Sequence, residues 1–348
     1  MLETFAGRLW PFSRLAAWKH GIDGNQKQLR KELRSISNRL GDIERLLEAT
    51  ALRAEQAARA AEQVRLTLAL DGQQRGNAPP HGRLDEARVR AHVEQAIAAS
   101  PLLTDPFEHI VVDNLVPPDV YELMLEARPP EAFFDPRDPA KQDLRMPMAA
   151  GPALMKAVWA FVDDTLAMRI IRPAVLEKFD AALRRHVEEA FGPGLYERVL
   201  ALPPSRSSAR LALRRPGYAL APHRDPKRSM LTCLIYLAAP GDEERYGTQL
   251  YRVTNDSEAH YKQTYFPEQE GATCALVKTV PFRPNSMLVF LNSRGAHGAA
   301  IPPDAPPTER YTFQFYVAPD TEALRALLRS LPADRRSMWA NKGRVAQA

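Results

Sequence analysis

After residue 204 the chain becomes a succession of short apolar runs: SSARLALRR, MLTCLIYLA, GTQLYRV, TCALVKTVPF, NSMLVFLN and RYTFQFYVA. Turn-rich segments separate them, and no long helix lies between any two. Parallel neighbours need a crossover of a dozen or more residues, usually helical. Consecutive strands here must therefore pair antiparallel or cross between two sheets, which predicts a sandwich or barrel of jelly-roll type over about residues 205–318. Upstream, LDEARVRAHVEQAIAAS reads as a helix, FEHIVVDNLV as a strand, and PPDVYELMLEA as a helix opened by prolines. Two more helical segments follow near 153–167 and 173–199, and TEALRALLRSL closes the domain. The expected class is α+β, with helices covering one sheet of the jelly roll.

The N-terminal region has a different period. Leu29, Leu33, Ile36, Leu40, Ile43 and Leu47 step by four and three, and Thr50, Ala54, Ala57, Ala61, Val64 and Leu68 continue the seam. Charged residues such as Arg30, Glu32, Arg34, Glu44 and Glu48 fall off it, the pattern of a coiled coil. Leu33, Leu40 and Leu47 at a, with Leu29, Ile36 and Ile43 at d, favour more than two strands; the alanine-rich second half weakens that preference. An intramolecular helical hairpin is the alternative, but no second long helix stands beside this one to pair with it. Homo-oligomerisation through residues 29–68 is the expectation. DGQQRGNAPPHGR, residues 71–83, reads as a linker, dividing the chain into 1–83 and a domain of 84–348.

Residues 1–83 carry 14 Lys and Arg against 9 Asp and Glu, the whole of the +5 net charge. The rest of the chain balances, which argues against an extended nucleic-acid groove. No apolar run approaches the roughly 18 residues of a membrane span. Residues 1–20, with Leu2, Phe5, Leu9, Trp10, Phe12, Leu15 and Trp18 among basic residues, could make weak peripheral contact with a membrane or pack on the protein itself. They lack a signal peptide's uninterrupted apolar centre and small-residue cleavage site. The two cysteines, Cys233 and Cys274, lie in apolar strand-like runs, a usage that suits a reducing cytoplasm.

Two histidines stand apart from the rest. His223 in LAPHRDP and His297 in SRGAHGAA occupy Pro- or Gly-flanked segments at strand edges. Residues two apart in extended chain point to one side, so His223 and Asp225 can meet at a common point. With His297 they form two imidazoles and one carboxylate, the facial set that leaves open positions on non-haem Fe(II). Catalytic zinc with three protein ligands fits the same set. Singly, a His-x-Asp pair in a loop is more often incidental. Arg310 opens RYTFQFYV, whose alternation puts Arg310, Thr312, Gln314 and Tyr316 on one face. Turned inward, a guanidinium there can grip a carboxylate and the Thr312 hydroxyl can add a hydrogen bond; turned outward, the row merely faces solvent.

These residues resemble the Fe(II)- and 2-oxoglutarate-dependent dioxygenases, in particular the prolyl-4-hydroxylase-like branch, over roughly 205–318 and more loosely from 107 onward. That fold is a double-stranded β-helix. The resemblance implies that His223, Asp225 and His297 bind iron and that Arg310 binds the far carboxylate of 2-oxoglutarate. RPNSMLVFLNS looks like the family's PxSxLxF lead-in to the distal histidine. Tyr236 matches a position where a tyrosine often touches the cosubstrate, with Thr232 on the same strand face. The implied reaction consumes O2 and 2-oxoglutarate, releases succinate and CO2, and hydroxylates a C–H bond, with ascorbate as a candidate reductant. Related halogenases lack the carboxylate, so Asp225 favours an oxidation without halide. One departure concerns the substrate: relatives often carry Gly-Gly-x-Leu where this chain has GTQL, residues 247–250. The polar insert TNDSEAHYKQTYFPEQEG contains no recognisable recognition motif either. Two rival readings remain: a non-catalytic metal- or sugar-binding jelly roll, and a chain whose working part is the coiled coil.

Overall fold

The computed structural model describes residues 10–74, 82–135, 137–191, 194–205, 209–226, 228–256 and 264–332. Most of the hydrophobic side chains of the basic N-terminal segment, part of the expected linker (75–81) and part of the polar insert (257–263) lie outside what is described. The chain divides into two units, Met1–Glu62 and Gln63–Ala348. Helix α1 (Trp10–Gln74) begins in the first and ends in the second.

In the first unit the helix is continuous, as the absence of proline after Pro11 and the 3.6-residue apolar period dictate. Its heptad positions are uncovered: Leu29 is 58% exposed, Leu40 55% and Leu47 65%. Among the described residues α2 (Glu86–Ala99) has 14 residues, and a continuous helical run that changes its winding covers 153–178.

In the second unit α1 runs on into the first residues of the expected linker. Leu70 packs on the main core. The Gln63 amide donates to the Ala132 carbonyl at 2.8 Å, and the Asp71 carboxylate accepts from the backbone N–H of Ala153 at 2.8 Å. That bond satisfies a free donor at the start of α4 (Ala153–Ala160). The helical run continues through a π-wound stretch (Phe161–Ile171) into α5 (Arg172–Lys178), and α6 (Asp180–Phe191) and α7 (Tyr196–Leu200) follow.

All strand pairings are antiparallel, and the strands form two sheets ordered β1-β8-β5-β10-β3-β2 and β4-β9-β6-β7. Their ranges are β1 His109–Asp113, β2 Lys141–Arg145, β3 Arg210–Arg214, β4 Ala219–His223, β5 Leu231–Tyr236, β6 Thr248–Thr254, β7 Thr273–Val280, β8 Ser286–Leu291, β9 Ala296–Ala300 and β10 Arg310–Val317. Strands β3 to β10 are dealt between the two sheets, and within each sheet sequence neighbours are mostly separated. This is the jelly roll that the short-strand pattern predicts, the double-stranded β-helix that the resemblance implies. Strands β1 and β2 extend the larger sheet at its two edges. The strand β2, KQDLR, was not expected, because its one apolar residue gives no alternation to read.

Alternation explains why the larger sheet is buried on both faces. On β5, Leu231, Cys233 and Ile235 join the cluster under the helices, while Leu234 and Tyr236 join Phe282, Leu288 and Phe290 between the sheets. On β10, Phe313 stacks on Trp159 of α4 with centroids 5.8 Å apart, fastening the helical layer to the outer face. Helix α3 (Pro118–Glu126) adds Val120, Leu123 and Met124 to the same cluster, and α8 (Thr321–Arg329) adds Leu324 and Leu327. Gly247 opens the GTQL segment for a steric reason: a Cβ there would lie 1.7 Å from the Val280 carbonyl oxygen. Among the described residues no helix is long and apolar enough to cross a membrane.

Candidate functional site

Strands β4 and β9 of the smaller sheet bring the two histidines together. His223 is the direct cross-strand partner of His297, so the side chains leave neighbouring positions on one face. Their ring centroids are 4.1 Å apart. Asp225 follows β4 and reaches back, with its oxygens 3.8 Å from His223 Nε2 and 3.7 Å from His297 Nε2. The donor atoms of all three lie within 4.8 Å of one another, and all three residues are buried. Pro222 is tolerated because β4 is an edge strand, and its pairing shifts register between Leu220 and His223.

His223 and Asp225 are aimed by hydrogen-bond partners. His223 Nδ1 lies 2.9 Å from the Ala221 carbonyl, which can only accept, so Nδ1 carries the proton and Nε2 presents its lone pair. Burial lowers His223, and burial together with His223 pushes His297 down to about 3. Both rings are therefore neutral at pH 7, the form that ligates. Thr232 donates to Asp225 Oδ2 at 2.7 Å and itself receives the Asn292 amide at 2.8 Å. Tyr316 donates to Oδ1 at 3.3 Å; burial, then the Asp225 charge, raises its pKa and keeps it a donor.

Arg224, between the two ligands in sequence, points the other way and ties their segments together. Its guanidinium pairs with Asp256 at 2.6 Å and donates to the carbonyls of Arg294 and Gly295, just before β9. Its backbone exchanges two hydrogen bonds with Tyr265. Gly295 is needed there, since a Cβ would stand 1.7 Å from the Phe107 ring.

The polar row of β10 faces inward. Arg310, Thr312, Gln314 and Tyr316 line a cavity of about 610 Å³ between the sheets, with His223, Asp225 and His297 on its opposite wall. Arg310 is 5% exposed, and among the described residues no carboxylate forms an ion pair with it. It donates to Thr248 Oγ1 at 3.1 Å and lies over the rings of Tyr236 and Phe282, each 5.4 Å away. Its Nε and the Thr312 hydroxyl are buried without a hydrogen-bond partner. A buried, unpaired guanidinium is costly unless a ligand completes it.

The remaining expected residues stand behind the cavity wall. Tyr236 is fully buried and donates to Thr248 Oγ1 at 2.7 Å, and Thr232 gives its proton to Asp225. Sequence reasoning overlooked Thr248, Asn292, Arg210, Arg214 and Arg224. Only Arg210 and Arg214 had a legible signal: two arginines at period two in the run ARLALRR share a face. Thr232→Val is expected to weaken divalent-metal affinity by about 10–100-fold, the usual cost of losing a ligand's supporting hydrogen bond. Mn(II) titration followed by electron paramagnetic resonance measures it; unchanged affinity would show that the hydroxyl does not hold Asp225 for a metal.

Neither a family model nor a curated protein matches the chain. Solved structures similar to it include a prolyl-4-hydroxylase from Pseudomonas putida, at 18% identity over 66% of this chain and 98% of that one, with a TM-score of 0.36. HygX from Streptomyces hygroscopicus, solved with nickel, 2-oxoglutarate and hygromycin B bound, is 15% identical over 61% of this chain and 83% of its own, with a TM-score of 0.37. A Trichoplax adhaerens prolyl hydroxylase in complex with a hypoxia-inducible-factor peptide is 13% identical over 72% and 97%, with a TM-score of 0.34. Identities and TM-scores this low carry no chemistry across. The fold is established by the chain's own strand order.

Proposed function

We propose that the chain is an Fe(II)- and 2-oxoglutarate-dependent dioxygenase that hydroxylates an unactivated C–H bond. What supports this above all is the pairing, in one cavity, of a buried His-Asp-His donor set with a buried guanidinium that has no carboxylate ion pair among the described residues. The residues fit the absent groups. Two neutral imidazoles and a carboxylate suit Fe(II) with open positions. The unpartnered Nε of Arg310 and hydroxyl of Thr312 suit an anionic cosubstrate.

In this reading His223, Asp225 and His297 hold the iron, while Arg310 and Thr312 grip the far carboxylate of 2-oxoglutarate. Tyr236 backs Arg310 through its ring face and through Thr248, and Thr232 fixes Asp225 beside the cosubstrate. The bound iron and 2-oxoglutarate supply the oxidising chemistry with O2. Leu234, Phe266 and Ala299 add apolar surface to the otherwise largely polar lining. The substrate, a small molecule or a peptidyl residue, enters the same cavity. The test is succinate formation by the purified protein with Fe(II), 2-oxoglutarate and ascorbate. Absence of succinate under O2, with metal binding intact, would favour a non-catalytic binding module instead.

Assembly into homo-oligomers through residues 29–68 belongs to the same proposal and draws on the uncovered heptad leucines. Charges at a core positions are expected to dissociate the assembly: Leu33→Glu with Leu40→Glu should reduce the mass in analytical ultracentrifugation to that of one chain. A wild-type protein that already sediments as a monomer would sink the idea. The domain division at residue 83, the cytoplasmic setting and the weak membrane contact through residues 1–20 are also proposals. Two cysteines that form no disulfide support the second of these.

A further inference from the structure

The same cavity holds a second cationic pole that neither metal nor cosubstrate uses. Five Lys or Arg side chains line it against two carboxylates, Asp143 and Asp225. Fe(II) and the 2-oxoglutarate dianion carry equal and opposite charges, so this excess of three positive charges persists in the loaded site. A cavity with such a residual field concentrates anions. Arg214 does not account for it, because its guanidinium is bound to Asp143 at 2.7 Å.

Of the remaining lining cations, Lys141, Arg210 and Arg228, Arg210 is the one carried on the β3–β10 pair. It stands opposite Gln314 in the β3–β10 register, whereas Arg310 stands opposite Arg214. Gln314 is four residues beyond Arg310 on β10, roughly 13 Å along an extended strand. The two poles therefore lie at opposite ends of one row. Arg210 donates from Nη2 to Gln314 Oε1 at 2.8 Å. Its Nε is buried without a hydrogen-bond partner, and its one ion pair among the described residues is a long one, to Asp143 Oδ2 at 3.9 Å, while Oδ1 of the same carboxylate is held by Arg214. Yet a third of the side chain stays accessible, and it lines the cavity.

A relay of side chains links this pole to the donor set. Gln314 Nε2 donates to Tyr316 at 2.9 Å, and Tyr316 donates to Asp225. An oxyanion on Arg210 thus sits near the donor set and roughly 13 Å along the strand from the Arg310 pole that the cosubstrate's far carboxylate would occupy.

Building on the dioxygenase reading, we propose that Arg210 is the anchor for an anionic group, a carboxylate or a phosphate, of the primary substrate. The free N–H groups of a guanidinium fork suit two oxygens of either anion. The substrate class is then an acidic molecule whose oxidised carbon is held at a fixed reach from its charged end.

The experiment uses the full chain loaded with Mn(II) and 2-oxoglutarate under nitrogen, so that the Arg310 pole is filled and no turnover occurs. Inorganic phosphate and, in a separate arm, acetate are titrated by calorimetry, and the tighter of the two names the anion. Arg210→Gln is expected to weaken that binding at least tenfold, and Arg210→Lys to weaken it less, at melting temperatures close to that of the wild type. Equal affinity in wild type and Arg210→Gln overturns the proposal, as does equal loss in both variants accompanied by a matching fall in melting temperature. Succinate formation by the wild-type protein is scored separately. Its absence alongside Arg210-dependent anion binding removes the dioxygenase reading and leaves the anion site standing.

Discussion

Arg310→Leu is expected to weaken 2-oxoglutarate binding at least about 30-fold while leaving the ligand-free protein as stable as the wild type, or more so. The guanidinium is buried at the end of β10, donates to Thr248 and has no carboxylate ion pair among the described residues; its pKa is lowered, first by desolvation. Replacing a buried charge by an apolar side chain is often neutral or stabilising. The cost appears on binding. Stripping one partner from a buried charge pair loses about 2–5 kcal/mol, which corresponds to about 30-fold to a few thousand-fold in Kd. Calorimetric titration of the Mn(II)-loaded protein reads the affinity, and thermal melts without ligand read the stability. A variant that melts far below the wild type would make Arg310 a structural residue, and unchanged affinity would remove it from the cosubstrate site.

Asp225→Ala is expected to lower divalent-metal affinity by more than about 100-fold, beyond the usual cost of disturbing a supporting partner. The two neutral imidazoles that remain carry no charge to offset that of the ion. Thr232 and Tyr316 also lose their acceptor, and unsatisfied buried donors cost about 1–3 kcal/mol. A lower melting temperature should therefore accompany the loss. Mn(II) paramagnetic resonance and thermal melts measure the two effects together. Undiminished metal affinity would place the metal elsewhere, and the proposed chemistry would fail with it.

Much of this was legible in residue order because it depends on local period. The run of short strands without helical crossovers limited the C-terminal part to an antiparallel two-sheet fold, and the step of four and three marked the long helix. The spacing of His223 and Asp225 is likewise local, as is the alternation that puts Arg310, Thr312, Gln314 and Tyr316 on one face. Tertiary structure alone decided which way that face turned. It became the cavity wall because Phe313 and Phe315 on the opposite face packed under the helices.

The strands that carry the histidines, β4 and β9, were not legible as strands. ALAPH and AHGAA are short, hold Pro or Gly and lack alternation, so partners across the sheet rather than their own propensity make them extended. The same is true of β2, held by β3, and of Arg224, whose partners lie 32 to 71 residues away. Local period specifies the elements and their faces. The meeting of residues 223, 225, 297 and 310 depends on contacts between distant segments, and those arise only when the two sheets close on each other.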